Sequence, residues 1–285
     1  MEEDCISGAQ GPNHEYRSAI MAIAATSRVV EHPSLCPSFL RVTASDCESC
    51  SLRPHTLFAD AQTSDLKRLT GNIRNGILRR GQVIYAAGDV GPSVFTIRVG
   101  MVKLILEVPG QEDRIVRLLG RGAALGLEAL AGHPYAHTAV TLRTTSLCEI
   151  PVQTLDELQV HKLRVSSGLM RKWNEQVARA DRWIATLGSG PVKQRLVDLL
   201  RLIADIGGDS PDAVHIPPVA DISAMLGISP ESISRHMAEL KRAGLLIHVA
   251  PRTYRCAPAL LEAAGPQLAP GRATVAAVPP HRSAT

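Results

Sequence analysis

The chain has 285 residues, with 31 Lys plus Arg against 27 Asp plus Glu, a net charge of +4 and a hydrophobic fraction of 45%. This length suits two modest domains with separate cores, in a protein of ordinary globular composition. No run reaches about eighteen uncharged apolar residues, and Glu2, Glu3 and Asp4 oppose the positive start of a secretory leader, which points away from the membrane and toward a cytoplasmic protein.

Residues 1–34 lack sustained periodicity and read as a mobile arm, followed over 35–58 by a segment carrying Cys36, Cys47 and Cys50. From Ile77 to Ile150 short alternating apolar runs are punctuated by glycine. Phe95, Ile97 and Val99 form one such run, and Val102, Leu104 and Leu106 the next, before a turn at Pro109 and Gly110. Glycines at roughly ten-residue spacing predict an antiparallel jelly roll, a β-roll domain over 59–155.

A helix with a hinge follows over 156–189. Leu169, Trp173, Val177, Ala180, Ile184 and Leu187 recur at steps of three and four, a coiled-coil-like seam predicted to pair two copies of the chain as a homodimer. Gly188, Gly190 and Pro191 end that helix.

The most informative segment lies in the next unit, 190–262. A short helix is predicted to end at Gly227, where a tight turn needs positive φ. Ser229 suits an N-cap and Pro230 the first position of a second helix. Ile233, Met237 and Leu240 form its buried stripe, and Glu231, Ser234, Arg235 and Ala238 its outer face near the N-terminal end. Arginine donates two hydrogen bonds to guanine, glutamate accepts one from cytosine, and serine serves either role. Two alternating runs, 245–249 and 253–256, complete a wing with Pro251 and Arg252 at its tip. A winged helix-turn-helix for double-stranded DNA follows. Lys plus Arg only equal Asp plus Glu in this unit, so the surface must come from local segregation of charge. The Ala-, Pro- and Arg-rich stretch 263–285 reads as a disordered tail.

A β-roll, a long helix and a winged helix in this order resemble the Crp/Fnr regulators. The fold class is then α+β: a cyclic-nucleotide-binding-like jelly roll, a dimerisation helix and a C-terminal winged helix-turn-helix. Pro230, Glu231, Ser232, Ile233, Ser234 and Arg235 are similar to the E-x-x-S-R recognition signature of the Fnr branch. The resemblance implies that Glu231, Ser234 and Arg235 read a TTGAT-type half-site repeated as an inverted pair, with RNA polymerase a further partner. The run 145–151, centred on Cys148, is also similar to a run of that branch in which the cysteine binds an iron–sulfur cluster.

That resemblance implies a 4Fe–4S cluster as cofactor and oxygen or redox state as signal, with Cys36, Cys47, Cys50 and Cys148 as the iron ligands. Fnr-type arms place a third cysteine a few residues after the C-x-x-C pair. Here 51–56 holds none, so Cys36 or His55 must complete the set. The C-x-x-C pair alone is shared with zinc sites and redox dithiols. Cys5 and Cys256 read as bystanders, Cys256 as a small buried hydrophobe. His133 and His137 read as surface residues of a turn rather than haem ligands. Cyclic nucleotide is disfavoured, because the stretch 126–139 has no arginine to meet a phosphate. A regulator that answers a small ligand, or none, with structural cysteines is the alternative. A dithiol enzyme leaves the helix-turn-helix unexplained, and no catalysis is expected.

Overall fold

The computed structural model describes residues 42–44, 47, 49–59, 66–67, 72–110, 112–159, 163–207 and 214–262. The expectations for the arm 1–34, for Cys36 and for the tail 263–285 lie outside these.

Among the described residues nine strands make the β-roll: β1 (Val42–Ala44), β2 (Arg74–Leu78), β3 (Val83–Tyr85), β4 (Ser93–Val99), β5 (Val102–Leu106), β6 (Arg114–Leu119), β7 (Ala124–Leu125), β8 (Thr138–Thr141) and β9 (Thr145–Pro151). They pair in two sheets, ordered β1-β2-β9-β4-β7 and β3-β8-β5-β6. Leu78, Phe95, Ile97 and Leu147 of the first sheet meet Val102, Leu104 and Ala139 of the second in one buried cluster. β1 comes from the cysteine-bearing segment and pairs antiparallel with β2, so that segment supplies an edge strand as well as thiols.

Side chains alternate across a strand, and β9 uses both faces of its sheet. Leu147 enters the inter-sheet cluster. Ile150 and Cys148 face the other way, toward a second cluster built by Leu57, Phe58, Leu66, Val94 and Leu155.

Helices α1 (Val152–Gln159) and α2 (Leu163–Leu187) follow, then α3 (Val192–Gly207). No helix among the described residues is long and apolar enough to cross a membrane. The C-terminal unit adds β10 (Val214–His215), α4 (Val219–Leu226), α5 (Pro230–Arg242), β11 (Leu246–Ala250), β12 (Thr253–Cys256) and α6 (Pro258–Glu262), with a small sheet ordered β10-β12-β11. Its core (Leu196, Leu199, Ile222, Ile233, Leu240 and Leu246 among others) is continuous with Met101, Ile115, Leu118 and Leu142 of the β-roll. The two units therefore share one apolar cluster and are docked, not merely tethered.

Candidate nucleic-acid interface and sensor site

The helix-turn-helix forms where the local chemistry requires it. Gly227 caps α4 in the left-handed region at φ 62°. The Ser232 N–H donates to Ser229 Oγ at 3.4 Å, capping α5, and Pro230 takes the first turn. Ile233, Met237 and Leu240 are buried beneath α5, which leaves Glu231, Ser234, Arg235 and Ala238 exposed on one face. Arg235 Nη2 donates to Ser232 Oγ at 3.4 Å, a weak contact that leaves most of the guanidinium fork exposed. His236 Nδ1 lies 3.1 Å from Glu239 Oε2, and this hydrogen bond holds the Glu239 carboxyl below its ordinary range.

Beside this face lies a cleft of about 370 Å³ between α5 and the wing, bordered by Ser234, Ala238, Lys241, Arg252 and Tyr254. The Lys241 ammonium sits 4.8 Å over the Tyr254 ring, and His248 meets the same ring edge-on. Sequence reasoning passed over Tyr254, whereas Lys241 falls among the late basic residues, with Arg235, Arg242, Arg252 and Arg255, that segregation of charge offers to DNA. Lys241 and Arg242 stand at the C-terminal turn of α5, where cations suit both the helix dipole and DNA phosphates.

Of the six residues in the predicted seam, Trp173, Val177 and Ile184 are exposed and Ala180 is half-buried, all on α2. Leu169 instead packs against the cluster beneath β9, and Leu187 is buried in the winged-helix cluster. Both ends of the seam are thus satisfied within their own chain. Met170, 72% exposed, extends the outward stripe instead, giving Met170, Trp173, Val177, Ala180 and Ile184 at steps of three and four.

Cys148 Sγ donates to Asn75 Oδ1 at 3.1 Å across the β2–β9 ladder. Cys47 and Cys148 both border the same apolar cluster, and Cys50 lies three residues beyond Cys47, its carbonyl accepting from Arg53 N. Among the described residues no three His, Cys, Asp or Glu side chains gather as a metal-binding set. Cys256 is buried on β12, and burial pushes its thiol up.

The stretch 126–139, where the sequence offers no arginine to a phosphate, closes around Tyr135. Gly126 is left-handed at φ 70°, and a Cβ there would meet the Tyr135 ring at 2.6 Å; a Cβ on Gly91 would meet it at 2.5 Å. Tyr135 stacks on Tyr85 at 3.9 Å and donates its hydroxyl to the Ser93 carbonyl at 2.6 Å. Glu128 Oε1 accepts from the Ala136 N–H at 2.9 Å, so the one carboxylate of the stretch closes the loop on itself. His133 is exposed and His137 is half-buried.

Residues 77–161 match the cyclic nucleotide-binding domain family, and residues 194–264 match the Crp-like helix-turn-helix domain family. The chain is 28% identical to the transcriptional activator protein FnrA of Stutzerimonas stutzeri, over 70% of this chain and 84% of that one. It is 26% identical to the transcriptional activator protein anr of Pseudomonas aeruginosa, over 74% and 91%. The fumarate and nitrate reduction regulatory protein of Escherichia coli K12 is also 26% identical, over 70% and 82%. Among solved structures, FixK2 of Bradyrhizobium japonicum superposes with a TM-score of 0.57 at 19% identity, over 64% of this chain and 91% of that one. TTHB099 of Thermus thermophilus gives 0.56 at 23%, over 65% and 94%. Both domain matches, in this order and joined by one long helix to an exposed recognition face, have the same meaning: the chain belongs to the Crp/Fnr family of DNA-binding transcription regulators.

Proposed function

We propose that this regulator is Fnr-like: a cytoplasmic homodimer that binds a TTGAT-type inverted repeat and governs that binding through a 4Fe–4S cluster responsive to oxygen or redox state. Glu231, Ser234 and Arg235 read the half-site. Trp173, Val177, Ala180 and Ile184, with Met170, form the dimer seam, which spaces two recognition helices for successive turns of DNA. RNA polymerase is the further partner.

The observation that carries the sensor reading is the meeting of Cys47, Cys148 and Leu169 on one apolar cluster. Thiolates are the donors an iron–sulfur cluster requires, and two of the four proposed ligands, from different parts of the chain, pack against the same apolar cluster. Cys36 and Cys50 complete the set, Cys36 from outside the described residues. Bound there, the cluster supplies a redox-active iron centre. The protein's part is to hold the cysteine segment against β9, beneath the N-terminal half of α2. A change at Cys47 or Cys148 alters the packing of Leu169 and hence the angle of the helix that bears the seam.

The test is iron and acid-labile sulfide per chain, with a visible spectrum, on protein purified without oxygen. About four of each, lost in air and absent in Cys148→Ala, supports the reading. A colourless protein that resists reconstitution overturns the sensor, leaves the DNA-binding face standing, and moves the signal to a small ligand or to none.

A further inference from the structure

Away from the cysteines, a group of basic residues gathers about His215, where the C-terminal unit meets the β-roll. Arg252, in the turn between β11 and β12, has φ 60° and is the one non-glycine residue among those described with positive φ. That conformation is strained for a residue with a side chain, and strain of this kind clusters at functional sites. The Arg252 carbonyl accepts from Ile216 N at 2.8 Å, while its Nη1 is buried with no hydrogen-bond partner among the described residues. On β10, His215 pairs in register with Thr253, the residue after Arg252. Its Nε2 is likewise buried without a partner among the described residues. From the β-roll, Arg143 extends to the end of α3 and donates Nη2 to the Gly207 carbonyl at 3.1 Å.

Buried polar atoms are nearly always paired, so two orphans, one on β10 and one in the turn before its partner strand β12, require an explanation. The electrostatics agree with the geometry. Burial first, then Arg143, Arg252 and Arg80, hold the His215 imidazole below its ordinary pKa, and no described carboxylate is among the groups acting on it.

We propose that Arg252 and His215, with Arg143 facing them from the β-roll, form a binding site for a small oxyanion of the phosphate class. A guanidinium presents a planar fork that matches phosphate oxygens, and a histidine nitrogen supplies a further donor. Arg80 adds positive potential from the β-roll side. Arg252 also borders the cleft beside α5, but Arg143 and Arg80 belong to the β-roll, which favours a small ion at the junction over the DNA backbone. An occupant that touches both units stabilises their docked arrangement by mass action and so adjusts how the recognition helix is presented. The site is independent of the cysteines, and it stands or falls without them.

Calorimetric titration of the full chain with inorganic phosphate, at fixed ionic strength, tests it. Saturable binding of one phosphate per chain is expected. Arg252→Gly relieves the positive φ and so keeps the fold, as thermal denaturation will verify, and it weakens binding roughly tenfold or more. Arg255→Gln, which removes one charge from the next strand, leaves binding unchanged. A nucleoside monophosphate run in parallel identifies the source: tighter binding than phosphate assigns an esterified ligand, and equal or weaker binding assigns the free ion. Absence of saturable heat, or wild-type affinity in Arg252→Gly, overturns the site. An Arg252→Gly variant that changes only DNA affinity, with a salt slope lower by about one, makes Arg252 a backbone contact and also overturns it.

Discussion

Lys103 on β5 and Asp221 on α4 meet at 2.6 Å, with only 8% and 16% of their side chains exposed, and join the β-roll to the first helix of the helix-turn-helix. Within the DNA-binding unit, the Arg195 guanidinium on α3 donates to the Leu226 carbonyl at the end of α4 and so fixes α4 in turn. A charge pair this shielded costs much to desolvate, so its two halves depend on each other. Asp221→Ala takes away the carboxylate that Lys103 meets at the junction and is expected to cost about 3 kcal/mol. Lys103→Met with Asp221→Leu should recover most of that loss, as measured by urea denaturation. A double variant no more stable than the single one would mean that the pair does not bind the two units together.

Tyr135 fills the centre of the β-roll between Gly91 and Gly126. Truncation to Ala removes a buried aromatic ring and its hydroxyl donor, and should cost about 3–5 kcal/mol. Gly126→Ala, which places a Cβ against the same ring at positive φ, should destabilise as well. Neither variant is expected to gain affinity for cyclic AMP, because the stretch offers no arginine to the phosphate. Saturable binding of cyclic AMP by Tyr135→Ala would show that the ring alone had closed a competent site.

The helix-turn-helix was legible because its determinants are local. The turn glycine, the serine cap and the buried stripe lie within twenty consecutive residues, and each has one physical meaning. The docking of the two units was not legible. Lys103 and Asp221 are 118 positions apart, and neither charge carries a sign of its partner. The stripe on α2 was read in part. Spacing identifies an apolar stripe on α2 but not what covers it, and the chain's own clusters claim Leu169 and Leu187. Met170, one position beyond Leu169, falls on the outward face for the same geometric reason. A three-residue edge strand such as β1 is too short for any periodicity to declare it.

Arg235 has most of its guanidinium fork available at the N-terminal end of α5. Arg235→Ala is expected to cost about 1–3 kcal/mol against a TTGAT palindrome and to relax discrimination at one base pair. Lys241→Ala should instead weaken binding evenly across sequences and lower the salt slope by about one. Fluorescence anisotropy with specific and scrambled duplexes at several salt concentrations separates the two. Equal losses on both duplexes for Arg235→Ala would remove it from base recognition.

Ile184 is 69% exposed in the single chain and lies on the outward stripe of α2. Ile184→Glu puts a charge into the proposed seam, where it has no partner to offset its desolvation. The dimer dissociation constant should rise at least about a hundredfold, some ~3 kcal/mol, and palindrome binding should fall with it. Sedimentation equilibrium reads the first effect directly. A wild-type dimer that persists in Ile184→Glu would place the interface elsewhere.

His137 and His215 are both held below the ordinary histidine pKa of about 6.5, in each case chiefly by burial. Arg117 reinforces the effect at His137, and Glu128 opposes it. A base whose pKa is lower folded than unfolded binds fewer protons in the folded state. Stability therefore rises with pH between the folded and unfolded values. The contribution is complete above about pH 6.5 and is lost as the solution is acidified through that window. The urea midpoint should fall between pH 7.5 and pH 5.5, and His137→Asn with His215→Asn should flatten the decline. An unchanged slope in the double variant would mean that the two imidazoles protonate freely in the folded chain, and that the acid sensitivity arises from its carboxylates.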